Sequence, residues 1–265
     1  MNPSMTKAGK IMEKLRRREV VLGGHAFFSD PQITESMGAH GYDFIWIDGE
    51  HSAFHLGTIL GHIMAAASAG AATLVRVAWN DPVLVKPILE MGPDGVILPM
   101  VSSPEEAERA VEACSYPPRG VRGFGPRRAC GYGAVDTAEY LKDVDDSFLR
   151  IVQIEHIKAV DALEEILQVP GVDLIMVGPN DLSASVGCIG QTRHSDALCQ
   201  FDRIAEICAR THKPFGVSLG ISDRDSIRDW IKRGATMIGC GDDVGFISRG
   251  CRETLEFLNG CLEAR

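Results

Sequence analysis

The sequence predicts an α/β protein folded as a closed (β/α)8 TIM barrel, and three observations predict it. Eight short apolar, β-branched runs recur at 20–22, 44–47, 73–77, 95–101, 149–155, 173–178, 215–219 and 236–240. Between them lie segments with apolar residues at helical spacing, among them 81–91, 104–114, 159–169, 202–212 and 222–233, and strands that alternate with helices are joined by crossovers and lie parallel. The length of 265 residues matches the roughly 250 that eight strand–helix units need, which favours one barrel domain over 1–265 rather than an open sheet with a second domain.

Each element carries its own punctuation. Helices open on a capping residue followed by Pro or an acid, as in Asp81-Pro82 and Ser103-Pro104-Glu105-Glu106, and Gly92, Gly171 and Gly234 stop helices ahead of the next strand. One stretch breaks the rhythm: residues 116–133 hold too much Gly and Pro for regular structure, yet carry Arg119, Arg122, Arg127 and Arg128 in an otherwise acidic chain. It reads as a loop beyond the fourth strand, either solvated or subunit-contacting, or else folded over an anionic substrate.

Composition excludes several classes. A net charge of -9 and a pI near 5.4, with basic residues scattered along the chain, argue against nucleic acid as a partner. The eight cysteines form no Cys-x-x-Cys pair, so neither a zinc knuckle nor a disulfide framework is expected and the thiols read as reduced. Residues 1–18 lack the apolar core of a secretory signal, and no run is long enough to span a bilayer. The expectation is a soluble cytoplasmic protein with no membrane partner.

The chemistry is expected where strands end, because parallel barrels keep their active sites at that face. Glu155 closes Ile151-Val152-Gln153-Ile154-Glu155, and Asp181 follows the next run through Gly178-Pro179-Asn180. Residues two apart in a strand share a face, so Gln153 and Glu155 point into the barrel mouth together. A buried carboxylate needs a partner, an arginine or a cation. Two carboxylates on neighbouring strands would repel without a cation between them, which favours a hard divalent ion such as Mg²⁺ or Mn²⁺ on Glu155 and Asp181.

A second cluster, Asp48-Gly49-Glu50-His51, follows the run 44–47. The spacing of Asp48 and His51 lets the carboxylate hold the imidazole in one tautomer, which makes His51 the candidate general base. The other histidines read as structural hydrogen-bonding residues. Arg76, near the end of its strand, is placed to bind a carboxylate or stabilise an oxyanion; the alternative is a structural pairing with an acid such as Glu90. No lysine stands inside or at the C-terminal end of a strand, which removes Schiff-base chemistry, and no Gly-rich phosphate motif is present. A metal is then left to polarise the carbonyl.

These stretches, with Gly41-Tyr42-Asp43 ahead of the second run, Tyr116-Pro117-Pro118-Arg119-Gly120 and Val177-Gly178-Pro179-Asn180-Asp181-Leu182-Ser183, resemble the metal-dependent (class II) pyruvate aldolases of the HpcH/HpaI type in family order from residue 10 to about 260. The resemblance implies a lyase that reversibly cleaves a 4-hydroxy-2-oxo acid to pyruvate and an aldehyde. It implies a divalent metal (Mg²⁺, Mn²⁺ or Co²⁺) on Glu155 and Asp181 that chelates pyruvate or its enolate. His51, supported by Asp48, would move the proton of the C4 hydroxyl and Arg76 would stabilise the enolate oxygen. Glu90 stands where many relatives carry an aspartate near that arginine and so joins the catalytic set. Gln153 would line the pocket, and the segment of Pro179, Leu182 and Ser183 would receive the pyruvate carboxylate through its backbone.

The same resemblance implies a homo-oligomer, a hexamer built as a trimer of dimers that exchange the C-terminal helix at 244–262. His25, Phe27 and Phe28 after the first strand are bulkier than is common in the family and favour a smaller or less polar aldehyde than a long dicarboxylate. Two other readings stand beside this one: an acyl-CoA lyase of the citryl or malyl type, for which the acidic chain offers no basic adenosine-binding face, and a non-catalytic sensor of a metal and a 2-oxo acid.

Overall fold

The structure, a computed structural model, describes residues 6–220 and 224–263. Eight parallel strands close in chain order, β1 (Val21–Ala26), β2 (Phe44–Asp48), β3 (Ala72–Arg76), β4 (Gly95–Leu98), β5 (Leu149–Ile154), β6 (Leu174–Val177), β7 (Phe215–Leu219) and β8 (Met237–Asp242), with β8 returning to pair with β1. Around them run α1 (Lys7–Arg16), α2 (Gln32–Ala39), α3 (Leu56–Ser68), α4 (Pro82–Glu90), α5 (Pro104–Cys114), α6 (Thr137–Asp143), α7 (Ile157–Asp161), α8 (Leu163–Gln168), α9 (Pro179–Ser185), α10 (Ser195–Thr211), α11 (Arg224–Lys232) and α12 (Asp243–Glu263). The fold is the (β/α)8 barrel expected from the alternation. No helix among the described residues is long and apolar enough to cross a membrane.

Alternation along each strand sorts side chains into two apolar layers. Phe44, Trp46, Leu74, Ile97, Ile151, Leu174 and Met176 fill the barrel, while Ile45, Ile47, Val75, Val96, Val152, Ile154, Ile175 and Val177 pack outward under the helices. Helix α1, which the strand–helix count did not anticipate, sets Ala8, Ile11 and Leu15 against the inner layer and so plugs one end. The caps read from sequence are made: Asp81 accepts from the Val83 amide and Ser103 from the Glu106 amide, each followed by Pro.

The boundaries differ from expectation in several places. Strand β1 runs to Ala26 rather than ending at 22, because Gly23-Gly24 is strand and not turn: a Cβ on Gly23 would lie 2.3 Å from the Phe44 ring, so the glycine makes room for a neighbouring strand's side chain. The helix expected over 159–169 breaks at Ala162 into α7 and α8. Helix α10 begins at Ser195, seven residues before the predicted start at 202. The helix predicted from 222 is α11 from Arg224; 222 and 223 lie outside the described residues.

Of the two alternatives for the arginine-rich loop, the structure favours the first. The loop follows α5, which returns the chain to the N-terminal end of the barrel, so it lies opposite the strand ends and does not fold over a substrate there. Arg119 pairs with Asp145, Arg122 is buried 3.2 Å from Glu90 and over the Tyr116 ring, and Arg128 donates to the carbonyls of Met91 and Gly92. Glu90, at the end of α4, belongs to the same far end. The expected partnership of Glu90 with Arg76 is not made within the chain, because a crossover helix ends one barrel length from where its preceding strand ends, so the geometry of the chain gives no support to its place in the catalytic set.

Candidate active site at the strand ends

Strand register builds the first half of the site. β2 and β3 pair with Asp48 opposite Arg76, and the two side chains form a buried ion pair. Arg76 also lies 2.9 Å from Glu50 through Nη1, reaches Gln153 Oε1 at 3.5 Å, and sits over the Trp46 ring, 5.2 Å from its centre. Its Nε is buried with no hydrogen-bond partner among the described residues. The guanidinium is thus fixed by two acids, an amide and an aromatic face, which is the planar recognition that arginine performs and lysine cannot.

Asp48 does not hold the His51 imidazole, contrary to expectation. Its Oδ1 accepts the backbone N–H groups of Glu50 and His51, at 2.9 and 2.8 Å, in a tight turn after β2, and its other oxygen takes Arg76. A carboxylate so engaged positions His51 through the backbone. The imidazole is exposed at the mouth, and its carboxylate neighbour is Glu50, 3.8 Å from Nε2. Burial pushes the Glu50 carboxyl upward, against the pull of Arg76 and His51.

The second half is built on β5 and β6. Gln153 and Glu155 share the inner face of β5, and the Gln153 amide nitrogen donates to Glu155 Oε2. The other Glu155 oxygen accepts the Met100 N–H at 2.7 Å, from a backbone held at φ 56°. Left-handed backbone at a side chain of this size is uncommon and concentrates at functional sites. Gly178, at the end of β6, leaves room for both groups, since a Cβ there would lie 2.7 Å from Glu155 Oε2 and 2.9 Å from Gln153 Nε2. Burial, then the negative charges of Asp181 and Glu50, push the Glu155 carboxyl up to about 7, although the Met100 N–H and Arg76 pull it down.

Asp181 is exposed in the first turn of α9 and close enough to raise Glu155. Glu155 and the exposed Asp181 that raises it offer oxygen donors of the kind a hard divalent cation takes, which makes these two the candidate holders. Pro179, Leu182 and Ser183 are buried, and Ser183 Oγ turns back to Asn180 O at 2.7 Å. The side chains of these three residues are thus turned inward, which leaves their backbone to meet a ligand.

Four residues take roles that the sequence did not assign to them. Glu50 was visible in its cluster but given no role. Met100 acts through its backbone, which leaves no residue signature. His25 lies on β1 rather than after it, its Nδ1 2.9 Å from Gly241 O and its Nε2 2.9 Å from Ser218 Oγ, tilted against Trp46. Since a carbonyl only accepts, Nδ1 carries the proton and Nε2 accepts from Ser218; burial lowers the imidazole's proton affinity and keeps it neutral. Asp243, fully buried, accepts the N–H groups of Phe27 and Phe28 at 2.9 and 2.8 Å and so fixes the loop after β1.

The family model described as HpcH/HpaI aldolase/citrate lyase matches residues 26–249. The 5-keto-4-deoxy-D-glucarate aldolase of Shigella boydii serotype 18 is 35% identical over 237 residues, 89% of this chain and 91% of its own. An HpcH/HpaI aldolase structure from Desulfitobacterium hafniense DCB-2 superposes with a TM-score of 0.85 at 30% identity, covering 93% of this chain and 95% of that one. A HpcH/HpaI aldolase/citrate lyase family protein from Burkholderia cenocepacia J2315 gives 0.88 at 29%, covering 94% and 99%. Matched over most of its length by the family model and by a relative above 30% identity, with the barrel and strand-end carboxylates in place, this chain belongs to the HpcH/HpaI aldolase/citrate lyase family.

Proposed function

We propose that the protein is a class II aldolase that reversibly cleaves a 4-hydroxy-2-oxo acid into pyruvate and an aldehyde. The observation that carries this reading is the buried Glu155 carboxylate, raised to about 7 beside Asp181 and Glu50, at the mouth of a barrel whose family is aldolase and citrate lyase. Glu155 and Asp181 would hold the divalent ion, of which Mg²⁺, Mn²⁺ and Co²⁺ are the candidates. When bound, such an ion polarises the substrate carbonyl as a Lewis acid.

The chain's own groups do the rest. His51, exposed at the mouth, takes the proton from the C4 hydroxyl. The C3–C4 bond then breaks, the aldehyde leaves, and the electron pair passes to the C2 oxygen as an enolate. Arg76, held by Asp48 and Glu50, offsets that negative charge in a water-poor site. Protonation at C3 gives pyruvate. Gln153 borders the pocket while steadying Glu155. His25, Phe27 and Phe28 support an aldehyde smaller or less polar than a long dicarboxylate.

Helix α12 supports a homo-oligomer, a trimer of dimers in the proposed form. Val244, Ile247, Leu255, Phe257, Leu258 and Leu262 are exposed along it, an apolar surface that a neighbouring subunit would cover. One barrel domain over 1–265 and a cytoplasmic location complete the reading, the latter supported by free thiols at all eight cysteines.

The test is pyruvate release from a panel of 4-hydroxy-2-oxo acids with and without a chelator. Release that stops with chelator and returns with Mg²⁺, Mn²⁺ or Co²⁺ is expected. Full turnover in chelator, or turnover confined to acyl-CoA thioesters, overturns the reading.

A further inference from the structure

The loop after α9 gathers side chains that the proposed reaction does not use. Cys188 Sγ lies 3.1 Å from His194 Nδ1, and Asp196 Oδ2 lies 3.7 Å from the same nitrogen. The three donor atoms fall within 4.8 Å of one another. We propose that Cys188, His194 and Asp196 form a second cation site, for a borderline-soft divalent ion of the zinc class, separate from the Glu155 and Asp181 pair.

Donor chemistry separates the two sites. Glu155 and Asp181 offer only oxygen, which suits a hard ion, whereas thiolate sulfur with imidazole nitrogen selects zinc over magnesium. The distances also fit. Tetrahedral zinc bonds of about 2.3 Å to sulfur and about 2.1 Å to nitrogen and oxygen place sulfur about 3.6 Å and oxygen about 3.4 Å from the nitrogen. The separations in the structure, 3.1 and 3.7 Å, differ from those by a few tenths of an ångström, within reach of small side-chain rotations.

The turn that carries the ligands is already fixed by its backbone. The Cys188 N–H donates to Ser183 O at 2.8 Å, Gln191 N–H to Cys188 O at 2.9 Å, and His194 N–H to Gln191 O at 2.9 Å. Cys188 is buried, while the His194 and Asp196 side chains are 41% and 64% exposed. The sulfur thus sits beneath, and the outer side is open for an ion to arrive and for water to fill the fourth position. Two weak contacts compete for the single Nδ1 lone pair: the Cys188 thiol, and the Asp196 N–H at 3.3 Å, a long helix cap. A cation takes that lone pair outright, and the thiol proton leaves to solvent as the thiolate binds. Because Cys188 is bonded to the end of α9, the ion would tie the helix that carries Asp181 to the start of α10.

Cobalt(II) titration of the reduced full-length protein tests this, because only a thiolate ligand gives the near-ultraviolet sulfur-to-cobalt absorption and the all-oxygen pair cannot. With Mg²⁺ in excess to occupy the all-oxygen pair, one equivalent of Co²⁺ producing that band, with release of about one proton, is expected. Cys188→Ser should abolish the band, and Cys199→Ser, at an exposed cysteine on α10, should leave it. His194→Ala, an exposed change that removes only the long cap bond of α10, should weaken Co²⁺ affinity at least about tenfold, the low end of what losing even an outer partner costs. Absence of the band from the unmutated protein, or its persistence at full strength in Cys188→Ser or His194→Ala, overturns the site whatever the aldolase assays show.

Discussion

Asp48 and Arg76 stand opposite each other in the register of β2 and β3, and their buried ion pair places the guanidinium at the barrel mouth. The fork also meets Glu50 and Gln153. Arg76→Lys keeps the charge but supplies one point donor for three partners. Turnover is expected to fall by about 100-fold or more, the scale of losing a preorganised donor from an oxyanion site. Denaturant unfolding should also show a loss of about 3 kcal/mol, since Asp48 is left buried with an imperfect partner. Near-normal turnover in Arg76→Lys would remove the guanidinium from the mechanism.

Glu155 ties stability to pH. Its folded pKa, about 7, lies above its ordinary 4.5, so between those values the folded chain binds more protons than the unfolded one. Stability of the metal-free protein should therefore fall as pH rises through that window and level off above it, by an amount of about 3 kcal/mol at most. Added divalent ion should restore most where the carboxylate is ionised, above pH 7. Thermal melts from pH 5 to 8, with and without Mn²⁺, read this directly. In Glu155→Gln the slope should flatten, and an unchanged slope would place the titrating group elsewhere.

Legibility from sequence tracked locality. Asp181 was expected at the end of a strand run and lies in the first turn of α9, whereas Glu155 and Gln153 were readable because period-two alternation and a strand end fix where a side chain goes. Arg76 was placed for the same reason, but its partner was misread: Glu90 is near in the chain and far in space, whereas Asp48 is distant in the chain and adjacent in register. The 119–128 loop stayed open between a solvated or subunit-contacting loop and a substrate cover, since a cluster of arginines signals charge without saying which end of the barrel a helix will reach. Met100 escaped because it contributes a backbone N–H, whereas His25, expected after the first strand, lies within β1 because that strand runs on through Gly23, against which the Phe44 ring packs.

Gly178 is a position where one methyl group should separate folding from function. Its φ of -101° suits any residue, so alanine brings no backbone strain. The added Cβ would, however, lie 2.7 Å from Glu155 Oε2, and the carboxylate would have to move. Gly178→Ala should fold with a melting temperature close to that of the parent, yet bind Mn²⁺ about 10- to 100-fold more weakly, as when a ligand loses its supporting shell. Calorimetry checks it. Unchanged affinity would mean that Glu155 is not a ligand in the position it now holds.

Glu90 and Arg122 give the opposite separation. Arg122 is buried, 3.2 Å from Glu90 and 4.4 Å from the centre of the Tyr116 ring, with a 3.2 Å bond to Tyr140. This cluster closes the end of the barrel remote from the carboxylates. Removing the guanidinium strands the Glu90 charge, so Arg122→Ala should cost about 3 to 5 kcal/mol of stability. Glu90→Gln keeps a hydrogen-bonding group of the same shape and should cost about 1 to 2 kcal/mol. For the folded fraction of either variant, kcat and the metal requirement should stay within about twofold of the parent, because neither group meets the reacting atoms. A hundredfold loss of kcat in a fully folded Glu90→Gln enzyme would return Glu90 to the catalytic set and require the two ends of the barrel to communicate.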